Sequence, residues 1–307
     1  RTGVSVTLID DQPRLGGHLR SDVHSYSGNS SDYSGMNGYE VADSLVEKLG
    51  EFPNVETLSE ASAFGLYEGN LVAVIQYDRV IKLRAKRVIV ASGCNEVPFV
   101  FEGNDLPGVT LSTGIQKLIH LYGLKPGSKA VVVTNNEQGY KTAVDLIGSG
   151  MRVEAIADAR SEGLQDSSEI QFLKSLDVPI LNTCTIKEAK GKQHVNGAVL
   201  TGIEGGTEKN VECDLICIAM GFDPALSLLY QAGCGATYDE ELNETIPSQM
   251  LPTIYAAGDV QGIHDLDVIM LQGKIAGTEA AASLLDAGEL AKLTQTDREL
   301  LANIEKI

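Results

Sequence analysis

Hydrophobic and polar residues form two kinds of segment along the chain: short apolar runs that predict strands, and mixed runs with helical spacing. Near the start, VSVTLID (4–10) is an apolar run that ends in an acid, and RVEAIAD (152–158) has the same form. In a βαβ unit that binds a dinucleotide, such a strand ends in a carboxylate that accepts hydrogen bonds from a ribose. The two runs therefore predict two such units, with Asp10 and Asp158 at the strand ends.

The second unit has its first strand in the sequence, whereas the first unit lacks one. KAVVV (129–133), a turn and the helical GYKTAVDLIGSG (139–150) precede the second acid-ended strand. The glycine-rich turn of the first unit should lie roughly 20 residues before Asp10, at a position before Arg1. We therefore expect the natural polypeptide to extend upstream with a strand and a G-x-G-x-x-G turn. A simple β-hairpin protein is the alternative.

Each predicted unit is followed by a small β-meander. A helix at 38–50 and strands over 62–93 follow the first unit, and a helix at about 167–176 and strands over 179–219 repeat that order. Residues 265–307 predict a helix with an amphipathic acidic tail. The predicted fold class is α/β, with two Rossmann-like dinucleotide-binding domains, each with a small β-meander, the first completed by the C-terminal segment.

Turn-rich segments at 102–108 and 243–252 place the predicted domain boundaries. The polar stretch 21–38 is predicted to be a flexible loop. The first predicted domain, which binds a dinucleotide, comprises residues 1–107 and 246–286. The second, dinucleotide-binding-like domain comprises residues 108–245. A helical tail comprises residues 287–307.

Composition narrows the classes of function. The 24 Lys+Arg against 42 Asp+Glu give a formal charge of −18, which argues against nucleic acid or a membrane surface as partner, because both require a basic face. No apolar run approaches the roughly 18 residues of a membrane helix. The five cysteines are scattered without a C-x-x-C pair, which predicts reduced thiols in a cytoplasmic protein. The 32 glycines favour a fold with many tight turns.

Small and acidic residues at predicted strand ends are the candidate cofactor contacts. Glycine lets a backbone approach a ligand closely, and an acid after a strand can hold a sugar hydroxyl. We predict Asp10 on a ribose, Gly16 and Gly17 along the dinucleotide, Gly93 packed near it, and Gly258 with Asp259 at the ribityl or ribose hydroxyls.

No catalytic residue and no metal site is predicted. The five histidines form no i, i+4 pair, and no His-Cys-acid cluster has metal-ligand spacing along the chain. His18, which follows Gly17, is either a cofactor contact or a polar loop residue. The redox chemistry is therefore expected to reside in a cofactor that the protein holds.

The order of these motifs (acid then Gly-Gly, A-S-G, a second βαβ unit, A-M-G-F-D-P and A-G-D) resembles the pyridine-nucleotide–disulfide class of FAD/NAD-binding oxidoreductases over nearly the whole chain. Within that class, VPFVFEGNDLPGVTLSTGIQKLIHLYGLKPGSKAVVVTNNEQGYKTAVDL (97–146) resembles the α subunit of heterotetrameric sarcosine oxidase and related amino-acid (proline) dehydrogenases. The T-N-N at the nucleotide turn carries most of that narrower resemblance.

The resemblance implies the cofactor-holding large subunit of an amine- or imino-acid-oxidising flavoenzyme, acting on CH-NH substrates such as sarcosine. It implies a smaller FAD-containing partner subunit that oxidises the amine, FMN at the subunit interface, and FAD or NAD in the first domain of this chain. The alternatives are a stand-alone NAD(P)H-dependent flavin reductase and a non-redox nucleotide-binding regulatory subunit.

The turn at 134–139 departs from the pattern of the class. It has the sequence T-N-N-E-Q-G, in which only Gly139, the third glycine, remains. Side chains at the first two glycine positions obstruct a pyrophosphate, and Glu137 adds repulsion. The turn is therefore not expected to bind a free nicotinamide dinucleotide, and without the redox cysteine pair disulfide reduction is not expected.

Overall fold

The computed structural model describes residues 3–26, 33–161 and 167–285. The chain divides into two compact units: unit 1 comprises 1–19, 25–95 and 223–307, and unit 2 comprises 20–24 and 96–222. Part of the predicted polar loop (27–32) and the predicted tail (287–307) lie outside the described residues.

The strands of the described residues follow in chain order, and most are short. They are β1 Val6–Ile9, β2 Val55–Leu58, β3 Ala61–Tyr67, β4 Leu71–Gln76, β5 Arg79–Arg84, β6 Val88–Val90, β7 Cys94–Glu96, β8 Val109–Leu111, β9 Lys129–Thr134, β10 Arg152–Asp158, β11 Ile180–Asn182, β12 Cys184–Gly191, β13 Val195–Gly202, β14 Lys209–Val211, β15 Leu215–Ala219, β16 Phe222–Pro224, β17 Gly235–Asp239, β18 Glu244–Ser248 and β19 Ile254–Ala256.

The α-helices lie between these strands. They are α1 Gly38–Gly50, α2 Ser112–Gln116, α3 Glu137–Gly148, α4 Ser168–Ser175, α5 Ser227–Ala232 and α6 Leu266–Ala282. A π-helical turn, Lys117–Leu121, continues α2, and 3-10 turns occupy Gly17–Ser21 and Asp259–Gln261. None of the described helices is long and apolar enough to cross a bilayer.

Unit 2 is built on a five-stranded parallel sheet in the order β11-β10-β9-β15-β8. Parallel strands that are covered on both faces consist of continuous apolar runs, and all five residues of β15 are buried. Helices α3 and α4 contribute to the core on one side, and the antiparallel meander β12-β13-β14 contributes to the core on the other. The predicted α/β fold with a Rossmann-like sheet and a meander is confirmed here.

Unit 1 contains two separate parallel strand pairs. Strand β1 pairs with β2, and β6 pairs with β19. The meander β3-β4-β5 and the hairpin β17-β18 are antiparallel. Residues of both parallel pairs, of the meander and of helix α5 share one hydrophobic core. That a further strand and glycine turn precede Arg1 stays a prediction.

The boundaries between the two units differ from those predicted at the turn-rich segments. Residues 96–107 belong to unit 2, because the buried carboxylate of Glu96 accepts the backbone N–H groups of Ser112 and Thr113 at 3.1 and 2.8 Å. Residues 223–245 belong to unit 1, because helix α5 and β17 contribute apolar side chains to its core. The segment 243–252, predicted to be a linker, instead contains strand β18.

Candidate functional site

Two adjacent parallel strands of unit 1, β6 and β19, end together and are followed by glycine turns. Val90 pairs with Ala256 at their last residues, Gly93 has φ +72° and Gly258 has φ +83°. Residues other than glycine rarely adopt these backbone conformations, which explains why glycine occupies both positions. A Cβ built on Gly93 would meet no atom within 4 Å, so space is open there. Ligands of α/β sheets bind beyond the carboxyl ends of the strands.

The predicted Asp10 and Gly16-Gly17 lie after strand β1. The Asp10 carboxylate accepts the backbone N–H of Gln12 at 2.8 Å in a tight turn. Gly16 and Gly17 have φ of +128° and +53°, and a 3-10 turn begins at Gly17. These two glycines bring the next residue, His18, to the strand ends described above.

Three side chains that are far apart in sequence meet at this place. One ligand-type atom from each of His18, Cys94 and Asp259 lies within 4.8 Å of the other two. His18 is exposed, Cys94 is buried and Asp259 is partly buried. The structure therefore brings together three of the predicted neighbourhoods, namely the Gly16-Gly17 turn, the Gly93 strand end and Gly258-Asp259.

His264 extends this cluster. Its Nδ1 lies 3.2 Å from Asp259 Oδ1, and its Nε2 lies 2.8 Å from Glu244 Oε1. Hydrogen bonds to Asp259, Cys94 and Glu244 outweigh the opposing effect of burial and raise the pKa of His264 to about 11. Burial raises the pKa of the Cys94 thiol, and the nearby His264 opposes that rise. The imidazole therefore carries a positive charge between two carboxylates at neutral pH.

Cys94, Glu244 and His264 were not predicted from the sequence. Cys94 directly follows the predicted Gly93, and His264 lies five residues after Asp259. Proximity to predicted strand ends was therefore a usable signal for both. The sequence gives no such signal for Glu244, because it lies in a turn-rich segment that was predicted to be a linker.

In unit 2, the turn between β9 and α3 is closed by its own side chains. Thr134 Oγ1 accepts the backbone N–H of Asn136 at 3.1 Å, and its hydroxyl also lies 3.0 Å from the carbonyl oxygen of Ala219. The Asn136 side chain accepts the N–H of Gln138 at 3.0 Å and so caps α3. The backbone N–H groups that cradle a pyrophosphate in an open turn are satisfied internally.

Gly139 is packed against the same threonine. A Cβ at position 139 would overlap the Cβ and Oγ1 of Thr134. Glycine is thus needed here for close approach of helix and strand, as expected for the third glycine of the motif.

Gly139→Ala is expected to destabilise unit 2 by about 1–2 kcal/mol, because overpacking outweighs the better helix propensity of alanine. Urea unfolding measures the change. Combining it with Thr134→Gly should recover at least about 0.5 kcal/mol relative to the sum of the single variants. Strict additivity of the two changes would contradict this packing account.

The acid at the end of β10 has protein partners. Asp158 is fully buried; Arg160 Nη2 lies 2.7 Å and Tyr140 Oη 2.6 Å from its Oδ2, and Arg160 Nε lies 3.0 Å from Oδ1. Burial alone raises the pKa of Asp158, but Arg160 and Tyr140 outweigh it and lower the pKa below its usual value. The sequence suggested Asp158 as a ribose contact. In the structure its carboxylate instead links strand β10 to Tyr140 of helix α3.

Comparison with known proteins agrees with this architecture. The chain is 26% identical over 304 residues to the sarcosine oxidase subunit alpha of Corynebacterium sp. (strain P-1), covering 92% of this chain and 30% of the relative. The chain therefore spans less than a third of the length of that relative.

Solved structures give the same fold. L-proline dehydrogenase from P. horikoshii matches with a TM-score of 0.70 at 22% identity, covering 98% of this chain and 54% of that one. Thioredoxin reductase from T. acidophilum matches with a TM-score of 0.70 at 21% identity, covering 92% and 90%. With a match over residues 1–284, the chain belongs to the pyridine nucleotide-disulphide oxidoreductase family.

Proposed function

We propose that this chain is the dinucleotide-holding large subunit of a flavoenzyme complex that oxidises an amine or imino acid at a CH-NH bond. The observation that carries the proposal is the grouping of Gly93, Gly258 and Asp259 at adjacent strand ends of unit 1. The corresponding turn of unit 2 is closed by Thr134 and Asn136. One open site favours a chain that holds a dinucleotide over one that takes hydride from free NADH.

The residues of unit 1 fit FAD or NAD, the cofactors of this family. Gly93 has open space before it, and the Asp259 side chain remains 23% exposed. In our proposal Gly16, Gly17 and Gly93 allow close approach of the dinucleotide backbone, Asp10 accepts from a ribose, and Asp259 accepts from ribose or ribityl hydroxyls. The bound group supplies the redox-active ring, and the chain positions it.

The partners are inferred from the relatives. Sarcosine oxidase relatives from several bacteria carry the name subunit alpha, which supports a hetero-oligomer. We infer a smaller FAD-containing subunit that oxidises the amine, with FMN at the subunit interface. Five buried cysteines without a disulfide support the cytoplasm as the location.

The direct test is isolation of the complex from its own cells. We expect a second flavoprotein at fixed stoichiometry, release of FAD or NAD identified by mass, and anaerobic flavin reduction by sarcosine or proline. Flavin bleaching of the isolated chain by NADH alone would instead establish the flavin reductase. If the chain binds a nucleotide but is isolated without a second flavoprotein and without redox activity, it would instead be a regulatory subunit.

Asp259→Ala is expected to weaken dinucleotide binding roughly 10- to 150-fold, the equivalent of about 1.5–3 kcal/mol for a charge-assisted hydrogen bond. Titration calorimetry with FAD and NAD⁺ measures this change. Asp265 is the matched control, because its side chain caps α6 by accepting the N–H of Val268. Asp265→Ala should lower stability by about 1 kcal/mol at unchanged affinity. Equal affinities of wild type and Asp259→Ala would refute the assigned role.

A further inference from the structure

We propose that the outer face of the meander β3-β4-β5 in unit 1 is the surface on which the second subunit of the proposed complex docks, through an acidic patch with an apolar centre. The inference rests on the proposed function for the existence of that subunit. Three rows of paired residues define the surface, which we call the meander face. They are Ser62, Ile75 and Val80; Gly65, Ala73 and Lys82; and Tyr67, Leu71 and Arg84.

The two faces of the meander differ in burial. Alternate residues of a strand point to opposite sides, and one side supplies apolar side chains to the core of unit 1, namely Leu66, Val72, Val74, Ile81 and Leu83. On the meander face, the paired Ile75 and Val80 are 43% and 60% exposed, and Tyr67 is 48% exposed. Single exposed apolar residues are ordinary, whereas a group of neighbouring ones marks an interaction surface.

The Tyr67 ring is held against the backbone of Gly65. A Cβ built on Gly65 would lie only 2.5 Å from Cε2 of that ring, so a larger residue at this position would displace the ring. A side chain that is already ordered loses little entropy when a partner packs on it. Tyrosine is also enriched at protein interfaces. The Gly65–Tyr67 arrangement therefore suits a contact at the centre of an interface.

Positive charge is concentrated beside these apolar residues. Residues 79–87 contain five of the 24 Lys+Arg and no Asp or Glu, in a chain with a formal charge of −18. Lys82 and Arg84 are exposed on the meander face, and neither forms an ion pair within the part of the chain that the structure describes. Arg84 is oriented by a hydrogen bond from its Nη1 to the carbonyl oxygen of Gly69, at 3.1 Å. A partner with carboxylates around an apolar centre would complement this face.

The edges of the meander show which side is covered within the chain. At β3, Gln231 of helix α5 accepts the backbone N–H of Leu66 at 3.2 Å. Strand β5, which carries the basic residues, pairs with β4 alone among the described strands. Charged residues on an edge strand also prevent uncontrolled strand pairing, but that role requires no exposed aromatic and branched apolar residues beside them. The combination favours a specific protein surface.

The charges favour a different protein over a second copy of this chain. A symmetric dimer through the meander face would use the same patch on both copies. The basic side chains of Lys82 and Arg84 would then meet those of the other copy. Like charges closer than about 8 Å repel each other even at physiological ionic strength. An acidic patch on a different subunit replaces this repulsion with attraction.

Carbodiimide cross-linking of the complex isolated from its own cells tests the surface. This reagent joins a lysine amine to a carboxylate that is in direct contact with it. We expect amide links from Lys82 to Asp or Glu residues of the second flavoprotein, identified by mass. Exposed Lys174 of unit 2 is the control and should form no such link. Links from Lys82 to a second copy of this chain, or to residues 286–307 of the same chain, would overturn the proposal.

Charge and apolar contact can be removed separately. Lys82→Glu should weaken the complex at least about tenfold in sedimentation equilibrium, since it places like charges opposite each other. The double variant Ile75→Thr, Val80→Thr keeps β-branched residues in the strands and should also weaken the complex at least about tenfold. Lys174→Glu and Val100→Thr, at a residue that is 85% exposed, are the matched controls and should leave the affinity unchanged.

The outcomes separate the docking surface from the proposed function. Every variant should retain the bound dinucleotide and the melting temperature of the wild type, because the substituted side chains are exposed. Isolation of the wild-type chain without a second flavoprotein would refute the proposed complex, and the docking surface with it. A complex that forms but keeps wild-type affinity in Lys82→Glu and in the threonine double variant would refute the docking surface alone.

Discussion

The Thr134–Gly139 turn is expected to bind a pyridine dinucleotide roughly 10²- to 10⁴-fold more weakly than an open glycine turn, since two hydrogen bonds to a charged group are lost at about 1.5–3 kcal/mol each. The N–H groups of Asn136 and Gln138 already bond to Thr134 Oγ1 and Asn136 Oδ1. Glu137, in the first turn of α3, adds repulsion of a phosphate. NADPH should bind less well than NADH, because its 2′-phosphate adds two negative charges.

The measurement is anaerobic mixing of the cofactor-loaded protein with NADH while the flavin absorbance is followed. We expect no rapid bleaching at micromolar NADH. The triple variant Thr134→Gly, Asn136→Gly, Glu137→Ala frees the two N–H groups and should gain weak NADH binding. Exposed Glu212→Ala is the control for removal of an acid. Rapid bleaching of the wild type would favour the stand-alone flavin reductase over the large-subunit role.

Asp158→Ala is expected to destabilise unit 2 by about 3–5 kcal/mol, the cost of removing one partner of a buried ion pair. The change leaves the buried Tyr140 hydroxyl and the Arg160 guanidinium, whose side chain is only 30% exposed, without their shared acceptor. An effect of this size is a large part of the stability of a typical domain.

The same pair gives a pH dependence of fixed sign. Because the pKa of Asp158 is lowered in the folded protein, its contribution is present above about pH 4, the unfolded value, and is lost as pH falls through the lower folded pKa. The free energy of unfolding, measured with urea, should therefore fall more steeply with decreasing pH for the wild type than for Asp158→Ala.

The control for this variant is Glu212→Ala, which breaks the Glu212–Lys129 pair, where Glu212 is 88% exposed. Such a surface pair contributes at most about 1 kcal/mol. Hydrogen exchange of β10 amides locates the change in unit 2. Equal destabilisation by the two variants would contradict the structural role of Asp158.

Local patterns in the sequence were sufficient for much of the fold. Helix α1 was predicted at about its observed bounds, 38–50, because apolar residues recur there at helical spacing. The acid-ended run at 152–158 predicted β10 because a mostly apolar run that ends in an acid is typical of such a strand, and five of its seven residues are buried. Unit boundaries were displaced because composition does not reveal tertiary bonds such as those of Glu96.

The candidate site could be predicted only in part. Glycines and acids at strand ends follow from local chemistry, so the sequence predicted Gly93, Gly258 and Asp259, and their contact with a cofactor stays a prediction. The contact of His18, Cys94 and Asp259 depends on the meeting of three distant segments, and no spacing rule contains that information. The role of Asp158 could not be deduced for the same reason, since Arg160 and Tyr140 act through side-chain geometry.

The order in which the two units can fold during synthesis follows from the way the chain divides. Apart from 20–24, unit 2 is one continuous segment, 96–222. The core of unit 1 joins residues such as Leu66 and Val74 to Leu229 and Val260. Domains fold as units while the ribosome adds residues, so the core of unit 2 can close first. The early strands of unit 1 meanwhile stay without their final packing partners until residues such as Leu229 and Val260 have been added.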